Sequence, residues 1–234
     1  MKRQRPFLKW FGAVLGIALL ALFTVQLWFF GHLLWYKNHN PESTSFMRAQ
    51  YEALKGKNPD VRLRYQWIPY PNISKQLKNA VLAAEDANFT DHDGVDWDSI
   101  EAAYEKNLKK GKITRGGSTI TMQLAKNLFL SGERSYFRKA QELVITYMIE
   151  AVMDKERILE IYLNVAEWGV GVFGCEEGAR HYFNISAAQL SAAQAARMAA
   201  MLPRPRFYDV NRTSRYLARR TSMIMRGMSA VEAP

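Results

Sequence analysis

Residues 116–127 read GGSTITMQLAKN, a pair of glycines and several hydroxyl side chains ahead of an apolar stripe. Glycine turns and hydroxyl caps are typical of a helix start, so the stretch predicts a helix that runs through Leu128. Free backbone N–H groups and the helix dipole at such a start favour anions. Thr119, Gln123 and Lys126 share one side of this helix, where a bound phosphate would meet donors and a cation. An ordinary cap on a solvated helix is the simpler explanation of this pattern taken alone.

Helical periodicity continues on both sides of this stretch. Caps and apolar spacing predict helices over residues 74–84, 99–108, 135–151, 154–165 and 187–202. Ser74, Ser135 and Asp154 are the expected caps, and Pro203 ends the last helix. Few segments alternate as strands do, so the chain is predicted to be mainly α.

Glu85 lies near the end of the first of these helices, on the flank of its apolar stripe. A carboxylate beside a buried face is a candidate general base, because desolvation raises its pKa. A solvated glutamate at a helix end is the alternative.

A second acidic candidate, Glu142, stands four residues after Arg138. The apolar stripe of its helix is expected to pass through Val144 and Met148, which puts the pair on the opposite, solvent-facing side. A surface ion pair worth about 0.3–0.5 kcal/mol is then the default interpretation. Lys139 adds to the basic surroundings.

The N-terminal segment predicts a membrane anchor. Residues 10–36 contain no Asp, Glu, Lys or Arg and exceed the roughly 20 apolar residues that a helix needs to cross a bilayer. The basic tail 1–9 precedes them, which by the positive-inside tendency keeps the N-terminus cytoplasmic and the rest of the chain extracytoplasmic. A cleaved signal peptide is the alternative, but its apolar core is normally shorter and a small-residue cleavage site is missing.

The formal charge of +10 predicts anionic partners such as nucleic acid, acidic lipid or a phosphate-bearing substrate. An extracytoplasmic location argues against nucleic acid. The C-terminal arginines could instead hold the protein against anionic lipid, or simply cover a solvated helix: Arg204, Arg206, Arg212, Arg215, Arg219 and Arg220. Cys175 is the single cysteine, and no Cys/His cluster has zinc-ligand spacing.

Five blocks follow one another in order. They are Glu85-Asp86-x-x-Phe89-x-x-His92-x-Gly94, Gly116-Gly117-Ser118-Thr119-Ile120-Thr121-x-Gln123-Leu124-x-Lys126-Asn127, Arg138-Lys139-x-x-Glu142, Lys155-Glu156-x-Ile158-Leu159-Glu160-x-Tyr162-Leu163-Asn164, and an alanine-rich block ending Leu202-Pro203. Together they resemble the glycosyltransferase module of peptidoglycan synthases, family 51 of the glycosyltransferases. Met122 departs from the resemblance, because the family often has a second glutamine there.

The resemblance implies a mainly α, lysozyme-like domain over residues 68–205, with a head and a smaller membrane-facing jaw. Residues 37–67 are then a juxtamembrane linker and residues 206–234 a basic extension. That extension is too short for a transpeptidase domain, and neither SxxK nor KTG occurs, so the monofunctional type is the nearest match.

The resemblance also implies that the substrate is lipid II and the product a β-1,4-linked glycan strand. Glu85 would be the catalytic base and Glu142 the second carboxylate, while Lys126 and Arg134 match positions that contact the donor diphosphate. Other positions match further cleft residues: Ser118, Thr119, Gln123, Asn127, Arg138 and Lys139. No cofactor is required, although a divalent cation is compatible with the diphosphate, and the resemblance extends the list of partners to other wall-synthesis or division proteins.

Two other functions are consistent with parts of this pattern. A membrane-anchored, lysozyme-like glycan hydrolase would use paired carboxylates too, but it has no need of the segment from Gly116 to Lys126 that suits a phosphate. A bitopic scaffold for other wall-building proteins would tolerate the loss of Glu85.

Overall fold

The computed structural model describes residues 5–110, 117–130 and 135–234. The chain divides into two compact units, Met1–His39 and Asn40–Pro234. The first unit holds helix α1, Arg5–Tyr36. Its segment Trp10–Tyr36 has a mean hydropathy of 2.2, and at 1.5 Å per residue it is about 40 Å long, enough to cross a hydrocarbon layer.

The second unit consists mostly of helices. They are α2 (Ser45–Lys55), α3 (Lys75–Glu85), α4 (Trp97–Lys110), α5 (Ile120–Phe129), α6 (Tyr136–Val152), α7 (Lys155–Val165), α8 (Cys175–Phe183), α9 (Ala192–Met201), α10 (Pro205–Val210) and α11 (Arg215–Gly227). The strands β1 (Arg64–Tyr65), β2 (Glu167–Gly169) and β3 (Val172–Phe173) form a small sheet in the order β1-β3-β2. Strand β3 pairs parallel with β1 and antiparallel with β2. The predicted mainly α class is confirmed.

The predicted caps account for where several helices begin. The side chains of Ser74, Ser135 and Asp154 accept hydrogen bonds from backbone N–H groups three residues on, at the starts of α3, α6 and α7. Each satisfies a donor that the helix itself leaves unpaired. Helix α5 is capped by Thr119, whose hydroxyl accepts from Met122 N.

The alanine-rich segment differs from the single helix predicted over residues 187–202. A 3₁₀ turn, Ala187–Gln189, precedes α9, which begins only at Ala192. The break has a local cause, because Ser186 and Ser191 each form a capping box with the glutamine three residues later.

The orientation predicted for α6 is wrong. Val144 is exposed and Met148 only half-buried, whereas Ile145 and Ile149 are completely buried. Glu142 lies on that buried face, with 4% of its surface exposed. Its ion pair with Arg138 is therefore part of the interior and not the surface pair that the sequence suggested.

Two groups of helices pack together within this unit. Helices α3, α9 and α11 contact one another, and α5 contacts α2, α6 and α7. The unit thus includes helices from both the predicted linker 37–67 and the predicted extension 206–234. The C-terminus is also tied down, since Tyr70 Oη donates a hydrogen bond to the carbonyl of Pro234. The limits predicted for the catalytic domain, 68 and 205, do not coincide with the limits of this compact unit.

Candidate active site

A cleft of about 630 Å³ opens between the end of α3, the start of α5 and helix α11. Its lining includes five polar or charged side chains that carry the arguments below: Glu85, Ser118, Thr119, Gln123 and Arg220. The cleft is the right size for a small-molecule or sugar-sized ligand.

Glu85, the last residue of α3, projects into this cleft. Its Oε2 accepts a hydrogen bond from Gln123 Nε2 at 3.0 Å, and Tyr162 Oη donates to Gln123 Oε1 at 3.0 Å. Tyr162 is fully buried in α7, so it fixes the amide of Gln123 in the orientation that presents NH₂ to the carboxylate. The carboxylate is thereby held in one position.

Burial raises the pKa of Glu85 above its ordinary value, although Gln123, Arg220 and Lys126 oppose the shift. This is the desolvation effect predicted from its place beside the apolar stripe, and the direction is confirmed. A carboxylate with a raised pKa is a stronger proton acceptor in its ionised form than a solvated one.

Asp86, the next residue, holds the start of α5 in place. Its Oδ2 accepts from Ile120 N at 2.9 Å, and its Oδ1 pairs with His92 Nε2 at 2.9 Å. The N-terminus of α5 therefore already binds a carboxylate of this chain, where the sequence suggested a phosphate. Asp86 links α3 to α5 and so sets the distance across which Glu85 meets Gln123.

Close packing explains the glycine at position 117. A Cβ there would lie 2.7 Å from Ile100 Cγ1 of α4. Gly94 is constrained in the same way, with φ at +85° and Thr146 Cγ2 2.7 Å from an added Cβ. The carbonyl of Gly94 accepts a hydrogen bond from Thr119 Oγ1 at 2.5 Å, which joins this loop to the cap of α5.

Lys126 connects Glu85 electrostatically with the second carboxylate, Glu142. Burial lowers the pKa of Lys126, while Glu142 and Glu85 act in the opposite direction and Arg138 and Lys139 add to the lowering. Glu142 itself accepts hydrogen bonds from Lys139 Nζ at 2.5 Å and from Arg138 Nη1 at 3.5 Å. The charge of this half-buried lysine thus acts on both acidic side chains, in a strongly cationic setting.

Comparison with known proteins identifies the family of the chain. A model of the transglycosylase family matches residues 53–229. The chain belongs to the transglycosylase family. Among its relatives, a protein of Herminiimonas arsenicoxydans is 59% identical over 234 residues and one of Laribacter hongkongensis 57% over 229, with 100% and 97% of this chain covered and 100% of each relative. A third, from Bordetella pertussis, is 56% identical over 234 residues and 97% of each chain. All three are called biosynthetic peptidoglycan transglycosylases.

The comparisons confirm the resemblance read from the sequence, and with it the lysozyme-like transglycosylase fold. The predicted site residues fall into two groups in the structure. Ser118, Thr119 and Gln123 line the cleft with Glu85. Lys126, Asn127, Arg138 and Lys139 lie along α5 and α6 with Glu142. Arg134 lies outside the described residues, as does Gly116.

Two residues that contact the candidate site in the structure were not singled out from the sequence. Tyr162 fell inside a recognised block but received no role, although a tyrosine on an otherwise apolar helix face signals a buried hydrogen bond. Arg220 lies beyond the predicted domain and is one arginine among many on α11. No local signal distinguishes it from its neighbours.

The transglycosylase has one cluster of metal-ligand type among its described residues, Asp86 with His92 and Asp96, whose ligand atoms lie within 4.8 Å. Both oxygens of Asp86 already accept hydrogen bonds, and the oxygens of Asp96 accept from Ser99 N at 2.8 Å and Asn88 Nδ2 at 3.0 Å. Hydrogen bonding within the fold accounts for the cluster, so it gives no support for a cation site. The compatibility with a divalent cation stays a prediction.

Proposed function

We propose that this chain polymerises lipid II into β-1,4-linked glycan strands as a peptidoglycan glycosyltransferase. The observation that carries the proposal is a largely buried carboxylate, Glu85, on which the positive charge of Lys126 acts. Membership of the transglycosylase family supports it, as does the word "biosynthetic" in the names of relatives that match nearly the whole chain. That word favours transfer over the hydrolase alternative.

Inversion at the anomeric carbon dictates what the site must supply. The donor sugar is α-linked to diphosphate and the product is β-linked, so the acceptor 4-hydroxyl attacks from the face opposite the leaving group. Glu85, ionised, takes the hydroxyl proton as the new C–O bond forms. The bond from the anomeric carbon to the diphosphate oxygen breaks, and its electron pair leaves with undecaprenyl diphosphate.

The leaving diphosphate needs charge neutralisation more than a proton. We assign this task to Lys126, with Arg138 and Lys139, whose charges act on it, and Arg134 as further candidates. Glu142 accepts hydrogen bonds from both Arg138 and Lys139, so we assign it the role of orienting these cations. A site of this charge has little use in cleaving a neutral glycan.

A membrane location fits both substrates, which carry lipid tails. Helix α1 is long and apolar enough to anchor the chain, and confinement to one surface raises the effective concentration of enzyme and lipid-linked sugar. Exposed apolar side chains on α6 and α4 suit a membrane-facing jaw: Tyr136 (98% exposed), Phe137 (73%), Tyr104 and Leu108. Among the C-terminal arginines, Arg206, Arg212 and Arg220 form ion pairs within the unit. We therefore assign binding of anionic lipid to the other three, Arg204, Arg215 and Arg219.

The test is incubation of the purified full chain with labelled lipid II in detergent. We expect long glycan polymer and release of undecaprenyl diphosphate. Shortening of a preformed glycan strand without polymer formation would establish the hydrolase instead. Absence of both reactions would favour the scaffold.

Topology gives an independent prediction. We propose an inner-membrane protein with residues 1–9 in the cytoplasm and the second unit outside it, because four basic residues (Lys2, Arg3, Arg5 and Lys9) precede the span, whereas Lys37 is the single Lys or Arg among the ten residues that follow it. Alkaline phosphatase folds only where disulfides form. A fusion of this enzyme after Pro234 should therefore be active. A fusion that is inactive, while a cytoplasmic reporter at the same position works, would refute this orientation.

A further inference from the structure

One arginine of helix α11, Arg220, lines the cleft. Arg220 Nη2 lies 3.4 Å from Glu85 Oε1 and 3.4 Å from the carbonyl oxygen of Ala84. Both contacts are with the last turn of α3. The C-terminal helix, which the sequence places outside the catalytic domain, therefore contacts the carboxylate proposed as the base.

Arg220 is held there by the packing of its helix. Leu217 and Ile224 are buried on either side of it along α11, which contacts α3 and α9. Only 20% of the Arg220 side chain is exposed, and its Nε is buried with no hydrogen-bond partner among the described residues. A guanidinium placed this way is costly to desolvate, and the negative charge of Glu85 is what offsets that cost.

The other groups that face Glu85 have different tasks. Gln123 and Tyr162 orient its second oxygen through neutral hydrogen bonds, and Asp86 is engaged with the start of α5. Lys126 is cationic but its charge acts on Glu142 as well as Glu85, and the proposed diphosphate would draw on it. Among the described residues, Arg220 is the cation in direct contact with Glu85. Its positive charge therefore remains beside the base throughout the reaction.

We propose that Arg220 is a positioning residue, which keeps the Glu85 carboxylate ionised and directed into the cleft as it accepts the proton of the sugar hydroxyl. This rests on the proposed function. The contact opposes the effect of burial, which by itself raises the pKa of Glu85. A buried base without such a partner would be protonated, and hence inactive, over a wider range of acidic pH.

The test is the pH dependence of lipid II polymerisation by the full chain carrying Arg220→Met, Arg220→Lys or Arg226→Met. Arg226 is exposed on the same helix, so its variant matches the change in net charge. Without the charge of Arg220, the acidic limb of the Arg220→Met profile should move to higher pH. We expect the polymerisation rate to fall about tenfold on that limb and about threefold on the alkaline plateau. Arg220→Lys should restore most of the limb, and Arg226→Met should follow the parent.

A uniform loss at every pH, or a limb that coincides with the parent's, would overturn the proposal and leave Arg220 a packing residue. If Arg220→Met has no activity at any pH, the carboxyl resonance of Glu85 decides, assigned by its disappearance in Glu85→Gln. Its titration must move to higher pH in Arg220→Met. Failure of the proposed function is a separate result, because there the parent chain itself makes no polymer.

Discussion

Polymerisation of lipid II should be abolished by Glu85→Gln, with a loss of about 10³-fold or more. A glutamine keeps the shape and the hydrogen bond to Gln123, but it cannot accept the proton of the attacking hydroxyl, and general-base catalysis typically contributes 10²- to 10⁴-fold. Initial rates of polymer formation at saturating lipid II measure the effect. The loss should persist at every pH, since no ionisation can restore a base at that position.

The same substitution should leave the fold intact. The pKa of Glu85 is raised by burial, so its ionised form destabilises the folded state at pH values above that raised pKa. The favourable contribution of the protonated form is complete below the ordinary glutamate pKa and is lost as the pH rises through the raised pKa. At neutral pH Glu85→Gln should therefore have an unfolding temperature equal to or above the parent's, and this difference should vanish in acid.

Glu52→Gln is the matched control, because Glu52 is exposed on α2. It should change neither the polymerisation rate nor the unfolding temperature. Retained activity in Glu85→Gln, with the control unchanged, would remove the assignment of Glu85 as base. Lost activity together with a lower unfolding temperature would show that the residue is structural.

A feature of this site could be predicted from the sequence when the interaction that produces it lies within one helix. Caps such as Ser74, Ser135 and Asp154 act on donors three residues away, and they were placed correctly. The raised pKa of Glu85 follows from its position relative to the apolar stripe of its own helix. Such inferences need only the geometry of one helix, which the sequence specifies.

The orientation of α6 could not be obtained in this way. Its sequence, YFRKAQELVITYMIEAV, has apolar residues nearly all round, so two stripes compete and periodicity cannot choose between them. The choice is made by packing against α5, which buries Ile145 and Ile149 and leaves Val144 exposed. Glu142 is carried into the interior by the same choice, where Lys139 and Arg138 neutralise it.

Arg220 is a stronger example of a long-range cause. It meets Glu85 across 135 residues of chain, and only the packing of α11 on α3 brings them together. On the sequence, its helix is a basic amphipathic segment like many others. The predicted boundary at residue 205 follows the last of the five sequence blocks. These blocks contain no information about which later helix lines the cleft.

Lys126→Met should lower kcat/KM for lipid II by about 10²- to 10³-fold, the range seen when a donor aimed at developing charge is removed. Methionine fills a similar volume without the charge that the departing diphosphate needs. The loss should be similar at all pH values, which distinguishes it from the shifted acidic limb expected for Arg220→Met. Steady-state rates over a range of lipid II concentrations measure it.

Lys57→Met, an exposed lysine that follows α2, is the control for a lost positive charge. Burial lowers the pKa of Lys126, which means that its cation destabilises the fold at pH values below that lowered pKa. The Lys126→Met chain should thus unfold at the same temperature as the parent or higher, so lost activity cannot be ascribed to unfolding. Equal small effects of the two substitutions would show that the diphosphate is neutralised elsewhere, and the pairing of a buried base with Lys126 would then no longer support glycosyl transfer.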